Sequence, residues 1–90
     1  MIKQDILENQ ANPIYIGIGS NLGNRINNIE KAKYLLNKNN IIISQTSSYF
    51  ETLSWPDPKQ PKFLNIVIST DSKLKPLKMM EALKKIEVKL

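Results

Sequence analysis

Phe63 and Asn65, in Pro61-Lys62-Phe63-Leu64-Asn65, are the pair whose types and spacing best suit chemistry. Two positions apart in an extended segment, they share one face. A ring supplies contact area and stacking, and a carboxamide distinguishes donor from acceptor, so together they suit a flat heterocycle with polar edges. The plainer reading is a half-buried aromatic beside a polar residue on a solvated sheet face. Gly17-x-Gly19, continuing into Ser20-Asn21-Leu22-Gly23, invites a phosphate-loop reading because helix N-termini bind anions. With neither Gly-Lys-Ser/Thr nor GxGxxG present, a strand-to-helix turn is the simpler account. Glu87 stands between lysines on an amphipathic stretch, where a glutamate ordinarily serves as a solvated i,i+3 or i,i+4 partner. Asp57 is isolated among prolines, and Arg25 is the only arginine.

Composition removes much other chemistry. Without cysteine there are no disulfides, thiolate zinc sites or Cys nucleophiles; without histidine there are no Ser-His or Cys-His pairs and the commonest metal ligand is missing. Ninety residues make at most one small domain, burying about two thirds of the unfolded surface. The formal charge of +5 attracts anions in general, but the lysines are scattered, which favours a solvated surface over a nucleic-acid patch. The first twelve residues are polar with no apolar h-region, and nothing approaches the roughly 20 apolar residues of a membrane span. A cytoplasmic protein is the expectation.

The elements that must position Phe63 and Asn65 follow from periodicity. Residues 1–12 read as a flexible lead-in ended by Asn12-Pro13, and residues 13–90 as a single domain. Ile14 to Ile18 predicts a strand with three isoleucines on one face and Tyr15, Gly17 and Gly19 on the other. Gly23 is free to take positive φ and Asn24 suits an N-cap, opening a helix over 25–37 with Ile26, Ile29, Ala32 and Leu36 as its stripe. Residues 41–51 form a second strand long enough to bend or bulge, and the three prolines and one Trp of 53–61 make a fixed, irregular loop. A third strand over 62–70 alternates Leu64, Ile66 and Ile68 against Phe63, Asn65 and Val67. Pro76 suits the first turn of a second helix with Met80, Leu83, Ile86 and Leu90 as its stripe. The order βαββα with an antiparallel sheet is an α+β, ferredoxin-like arrangement lacking the final strand.

Three segments in this order, Gly19-Ser20-Asn21-Leu22-Gly23, Ser47-Ser48-Tyr49-Phe50-Glu51-Thr52 and Pro61-Lys62-Phe63-Leu64-Asn65, resemble the 6-hydroxymethyl-7,8-dihydropterin pyrophosphokinase family from about Ile14 to Leu90. The resemblance implies an N-terminal half of an enzyme of folate biosynthesis that transfers pyrophosphate from ATP to 6-hydroxymethyl-dihydropterin with Mg2+. It implies that Phe63 stacks on the pterin and Asn65 hydrogen-bonds its edge, with Thr52, Leu53 and Trp55 as further pterin contacts and Glu87 near the nucleotide. Where the family shows Thr-Pro-Pro, this chain has Thr52-Leu53-Ser54, and Trp55 reads equally as a hydrophobic lid. The family's Asp-x-Asp metal ligands and loop arginines have no counterpart, so the chain is expected to hold no catalytic or metal-binding residue and to be inactive alone. The reading from another class is a ferredoxin-like binding module for RNA or a protein; Tyr15 and Phe63 mimic an RNA-binding sheet, but no RNP1-like segment accompanies them. Without a fourth strand, the Ile14 to Ile18 edge is expected to be bare and to drive self-association.

Overall fold

The computed structural model describes residues 2–5, 14–71 and 75–89. Residues 1 and 6–12 of the expected lead-in, and Leu90 of the expected second stripe, lie outside them. The elements run β1 (Ile2–Asp5), β2 (Ile14–Ser20), α1 (Arg25–Lys38), β3 (Ile43–Thr46), β4 (Phe50–Thr52), β5 (Phe63–Thr70) and α2 (Pro76–Lys89). The class is α+β, one antiparallel sheet in the order β1-β2-β5-β3, with β4 also paired to β5.

Alternation sets the two faces of this sheet. On β2, Ile14, Ile16 and Ile18 are buried; on β5, Leu64, Ile66 and Ile68 are. They join Ile29, Ala32 and Leu36 of α1 and Met79, Leu83 and Ile86 of α2 in one core, so both helices cover the isoleucine face. The α2 stripe is seated on Met79 instead of the expected Met80, because 79, 83 and 86 follow i, i+4 and i+7 while Met80 lies about 100° round the helix. Ile26, in the first turn of α1, is exposed.

The joints of α1 are local chemistry. Gly23 takes φ +67°, and the Asn24 side chain caps the helix by accepting from the Asn27 N–H at 3.0 Å. At the other end Asn40 adopts φ 64°, Ile41 N–H donates to the Leu36 carbonyl at 3.0 Å and Asn40 N–H to that of Asn37 at 3.1 Å. This is a Schellman ending with asparagine where glycine is commoner, and the two positions that such a motif usually brings into apolar contact, Ile41 and Leu36, are both fully buried in the core.

The expected second strand is divided. Ile43 pairs with Thr70 and Gln45 with Ser69, leaving Ser44 as an extra residue whose hydroxyl hydrogen-bonds the Ser69 carbonyl at 3.0 Å. Between the pairs Thr46↔Ile68 and Phe50↔Asn65 the chain spends four steps against three on β5, a second irregularity. Ser47 spans it: its N–H donates to the Val67 carbonyl and its hydroxyl accepts from the Val67 N–H. Tyr49 then donates its hydroxyl to Glu30 at 2.7 Å, tying this segment to α1; that hydrogen bond lowers the Glu30 pKa, with Lys33 adding to the effect, and raises that of Tyr49.

One expectation is corrected. The β2 edge is not bare, because Ile2 pairs with Ile18 and Asp5 with Tyr15, placing β1 beside it inside the stretch read as a lead-in. Backbone N–H and C=O groups of an isoleucine-rich strand need partners, and a segment of the same chain supplies them. The expectation of self-association through that edge loses its basis.

Among the described residues, Thr70 Oγ1 is a buried hydroxyl without a hydrogen-bond partner, in a fully buried side chain at the end of β5. Replacing it with the near-isosteric valine removes an unmet desolvation penalty, so Thr70→Val is expected to stabilise the domain by about 1 kcal/mol. Urea unfolding should show a higher midpoint at unchanged slope; a lower midpoint would mean that the hydroxyl has a partner.

Candidate functional site

On the sheet face opposite the helices, β2 and β5 lie side by side with Gly17 paired to Val67 and Gly19 to Asn65. Directly opposed residues share a face, so this register sets Tyr15, Gly17 and Gly19 beside Asn65 and Val67, with Phe63 at the end of the row. An open shelf results. Its cavity of about 280 Å³ is bounded by the two glycines, Phe63 and Asn65 together with Phe50, Thr52, Leu53 and Trp55. The volume is near the lower end of the roughly 300–1,000 Å³ of small-molecule sites.

Asn65 is fixed from one side. Its Nδ2 donates to Thr52 Oγ1 at 2.9 Å, to the Phe50 carbonyl at 3.2 Å and, more loosely, to the Phe63 carbonyl at 3.4 Å. Its Oδ1 therefore turns towards β2, and only glycine leaves room there. A Cβ on Gly19 would lie 2.6 Å from Asn65 Oδ1 and 3.4 Å from a ring carbon of Phe63. Gly19 is thus matched to Asn65 and Phe63 together.

The wall beyond Thr52 is the proline loop. Ser54 is buried and its hydroxyl donates to the Pro61 carbonyl, which also accepts from Asn21 Nδ2 at 3.4 Å. Asp57 closes a turn, accepting from the Lys59 N–H with its side chain and from the Gln60 N–H with its carbonyl. Ser54, inward between Leu53 and Trp55, leaves those two outward at 63% and 89% exposure, large apolar groups standing beside the cavity. The loop is irregular, as its prolines predict, and these hydrogen bonds hold its two ends and its turn.

The cavity brings together Thr52, Leu53, Trp55, Phe63 and Asn65, the five residues expected to meet a pterin. Glu87 does not line it; it is exposed on α2, in the layer covering the other face. Phe50 was missed, although it lies two residues before Thr52 in one strand and period two alone puts both on the same face. Among the described residues there is no group of three or more His, Cys, Asp or Glu side chains that could hold a metal ion. What the arrangement can do is bind: a ring, a fixed carboxamide, and glycine floors for close approach.

Residues 15–90 match the family model described as 7,8-dihydro-6-hydroxymethylpterin-pyrophosphokinase. The chain is 37% identical over 81 residues to a mitochondrial folate synthesis bifunctional protein of Pisum sativum, a match covering 90% of this chain and 16% of that one. It is 35% identical over 74 residues to the 2-amino-4-hydroxy-6-hydroxymethyldihydropteridine pyrophosphokinase of Aquifex aeolicus, covering 82% of this chain and 46% of that one. With the enzyme of the same name from Haemophilus influenzae the identity is 31% over 74 residues, again 46% of the relative. The chain thus spans a little under half the length of these two bacterial relatives and a much smaller share of the bifunctional one.

The glycine fit yields a direct test. In Gly19→Ala the methyl group must displace Asn65 Oδ1, so the Asn65 side-chain NH2 resonances should move and their hydrogen bonds to Thr52 and Phe50 weaken, while the far end of the ladder near Tyr15 is unaltered. Unchanged Asn65 side-chain resonances in that variant would show that the shelf accommodates a Cβ.

Proposed function

The chain belongs to the 7,8-dihydro-6-hydroxymethylpterin-pyrophosphokinase family, and from that membership we propose that its shelf binds the pterin ring of a 6-hydroxymethyl-dihydropterin. Phe63 stacks on the bicycle. Asn65, its Nδ2 occupied by Thr52 and Phe50, offers a carbonyl with two lone pairs, which suits the N–H donors of a 2-amino edge. Leu53 and Trp55 cover the ring's outer side as the apolar wall, and Thr52 keeps the carboxamide in orientation. The observation that carries this reading is the meeting of all five residues around one cavity on the face that the helices leave open.

In the full-length enzyme the reaction is transfer of pyrophosphate from ATP to the 6-hydroxymethyl group in folate biosynthesis, in the cytoplasm. When bound, Mg2+ neutralises and aligns the phosphates. Among the described residues no three His, Cys, Asp or Glu side chains gather into a group that could hold a metal ion, and the role assigned to this chain is pterin recognition and orientation. Glu87, exposed on α2, is the residue assigned to the nucleotide. The run from β2 to α2 is ferredoxin-like, a split βαβ unit followed by a helix. No helix among the described residues is long and apolar enough to cross a membrane.

The test is titration with 6-hydroxymethylpterin, followed by amide shifts and by fluorescence of Trp55, the sole tryptophan. Shifts are expected at Gly19, Phe63 and Asn65, with quenching of Trp55. Asn65→Ala should weaken binding about tenfold, the effect of losing one hydrogen bond of some 1.4 kcal/mol. Shifts confined to the lysines of α2 would refute the assignment.

A further inference from the structure

Arg25 occupies the first position of α1, where a cation opposes the helix dipole, and no acidic residue in that turn offsets it. Its placement is not explained by the helix. One of its guanidinium nitrogens, Nη1, donates to Glu51 Oε2 at 2.9 Å and to the Lys62 carbonyl at 3.1 Å. Glu51 sits between Phe50 and Thr52 in β4, opposite Leu64, and by alternation faces away from the shelf. Lys62 immediately precedes Phe63. One nitrogen therefore grips the residues adjoining Thr52 and Phe63 from the reverse side of the sheet.

The grip matters because β4 is weakly held. It is three residues long and pairs only with β5 among the described strands. Yet both better hydrogen bonds orienting the Asn65 carboxamide end on β4, at Thr52 Oγ1 and the Phe50 carbonyl. Any drift of β4 away from β5 would release Asn65. We infer that Arg25 is a positioning residue for the shelf: by holding Glu51 and the Lys62 carbonyl together it fixes β4 against β5 and so sets the orientation of Asn65. This extends the pterin reading by adding a residue that touches no ligand.

Exposure bounds the effect. The Arg25 and Glu51 side chains are 33% and 53% exposed, so the pair contributes little to global stability and its consequence should be local. The hydrogen bond from Arg25, and its charge, hold the Glu51 carboxyl below its ordinary pKa, with Lys62 adding to the attraction; among the described residues these are the cations that act on it. A depressed carboxylate pKa means the grip is intact at and above the ordinary carboxylate range and is lost as pH falls through the lowered value.

The experiment follows the Asn65 side-chain NH2 resonances and 6-hydroxymethylpterin binding in Arg25→Ala, Glu51→Gln and the exchanged pair Arg25→Glu with Glu51→Arg. Arg25→Ala is expected to shift and broaden the Asn65 NH2 signals and to weaken binding about three- to tenfold, the loss of one charge-assisted hydrogen bond, with little change in Tm. The exchanged pair should restore the signals in part. In the wild type these signals should move on acidification with the Glu51 titration, and in Glu51→Gln that step should vanish. Unchanged Asn65 NH2 signals in Arg25→Ala, or a fall in Tm that accounts for the whole loss of binding without recovery in the exchanged pair, would overturn the inference. Should the wild type bind no pterin, the ligand reading fails while the Asn65 NH2 signals still decide the role of Arg25.

Discussion

Seven consecutive residues of β2 pair with seven of β5, from Ile14↔Thr70 to Ser20↔Leu64, and this ladder bears on every other feature of the molecule. Because side chains alternate, one uninterrupted register assigns two opposite jobs at once: isoleucines and Leu64 go to the core, and glycines, Phe63, Asn65 and Val67 go to the shelf. A slip of one residue would turn the isoleucines to the open face and bury the carboxamide. The core's demand for apolar area thus fixes the geometry of a polar site that contributes nothing to it.

Gly19 and Asn65 are the point where the two strands meet most closely. Their opposition leaves no room for a side chain on β2, so the carboxamide lies flat against the neighbouring backbone with its donor group turned to β4. That orientation is a joint property of three strands and belongs to no single segment. The two irregularities in β3 and β4 serve the same end. Without the extra residues at Ser44 and within 47–49, Thr52 would arrive out of step with Asn65.

The helices act mainly as cover, but their ends shape the shelf indirectly. Capped by Asn24, α1 starts where Arg25 can reach across to Glu51 and Lys62, and it ends in a left-handed Asn40 that returns Ile41 to the core before β3 begins. Tyr49, held by Glu30, anchors the segment just ahead of β4. Polar contacts at the surface therefore guide a short strand that hydrophobic burial alone would leave loosely placed, since none of Phe50, Glu51 and Thr52 is buried.

Much was legible in the chain because it depends on local spacing. The alternation of Ile14, Ile16 and Ile18 and of Phe63, Leu64 and Asn65 determined which face each residue takes; Gly23-Asn24 determined where α1 begins; and three short motifs placed the chain in its family. What needed the tertiary structure were relations between distant segments. That Ile2–Asp5 would pair with β2 could not be read from four residues whose preference is decided by an available edge. The division of 41–52 into β3 and β4 depends on fitting β5, and the choice of Met79 over Met80 depends on how α2 rolls against α1 and the sheet. The joining of Arg25 to Glu51 across twenty-six positions, and of Gly19 to the orientation of Asn65, follows from three-dimensional register, because hydrogen bonds act over a few ångströms of space regardless of separation along the chain.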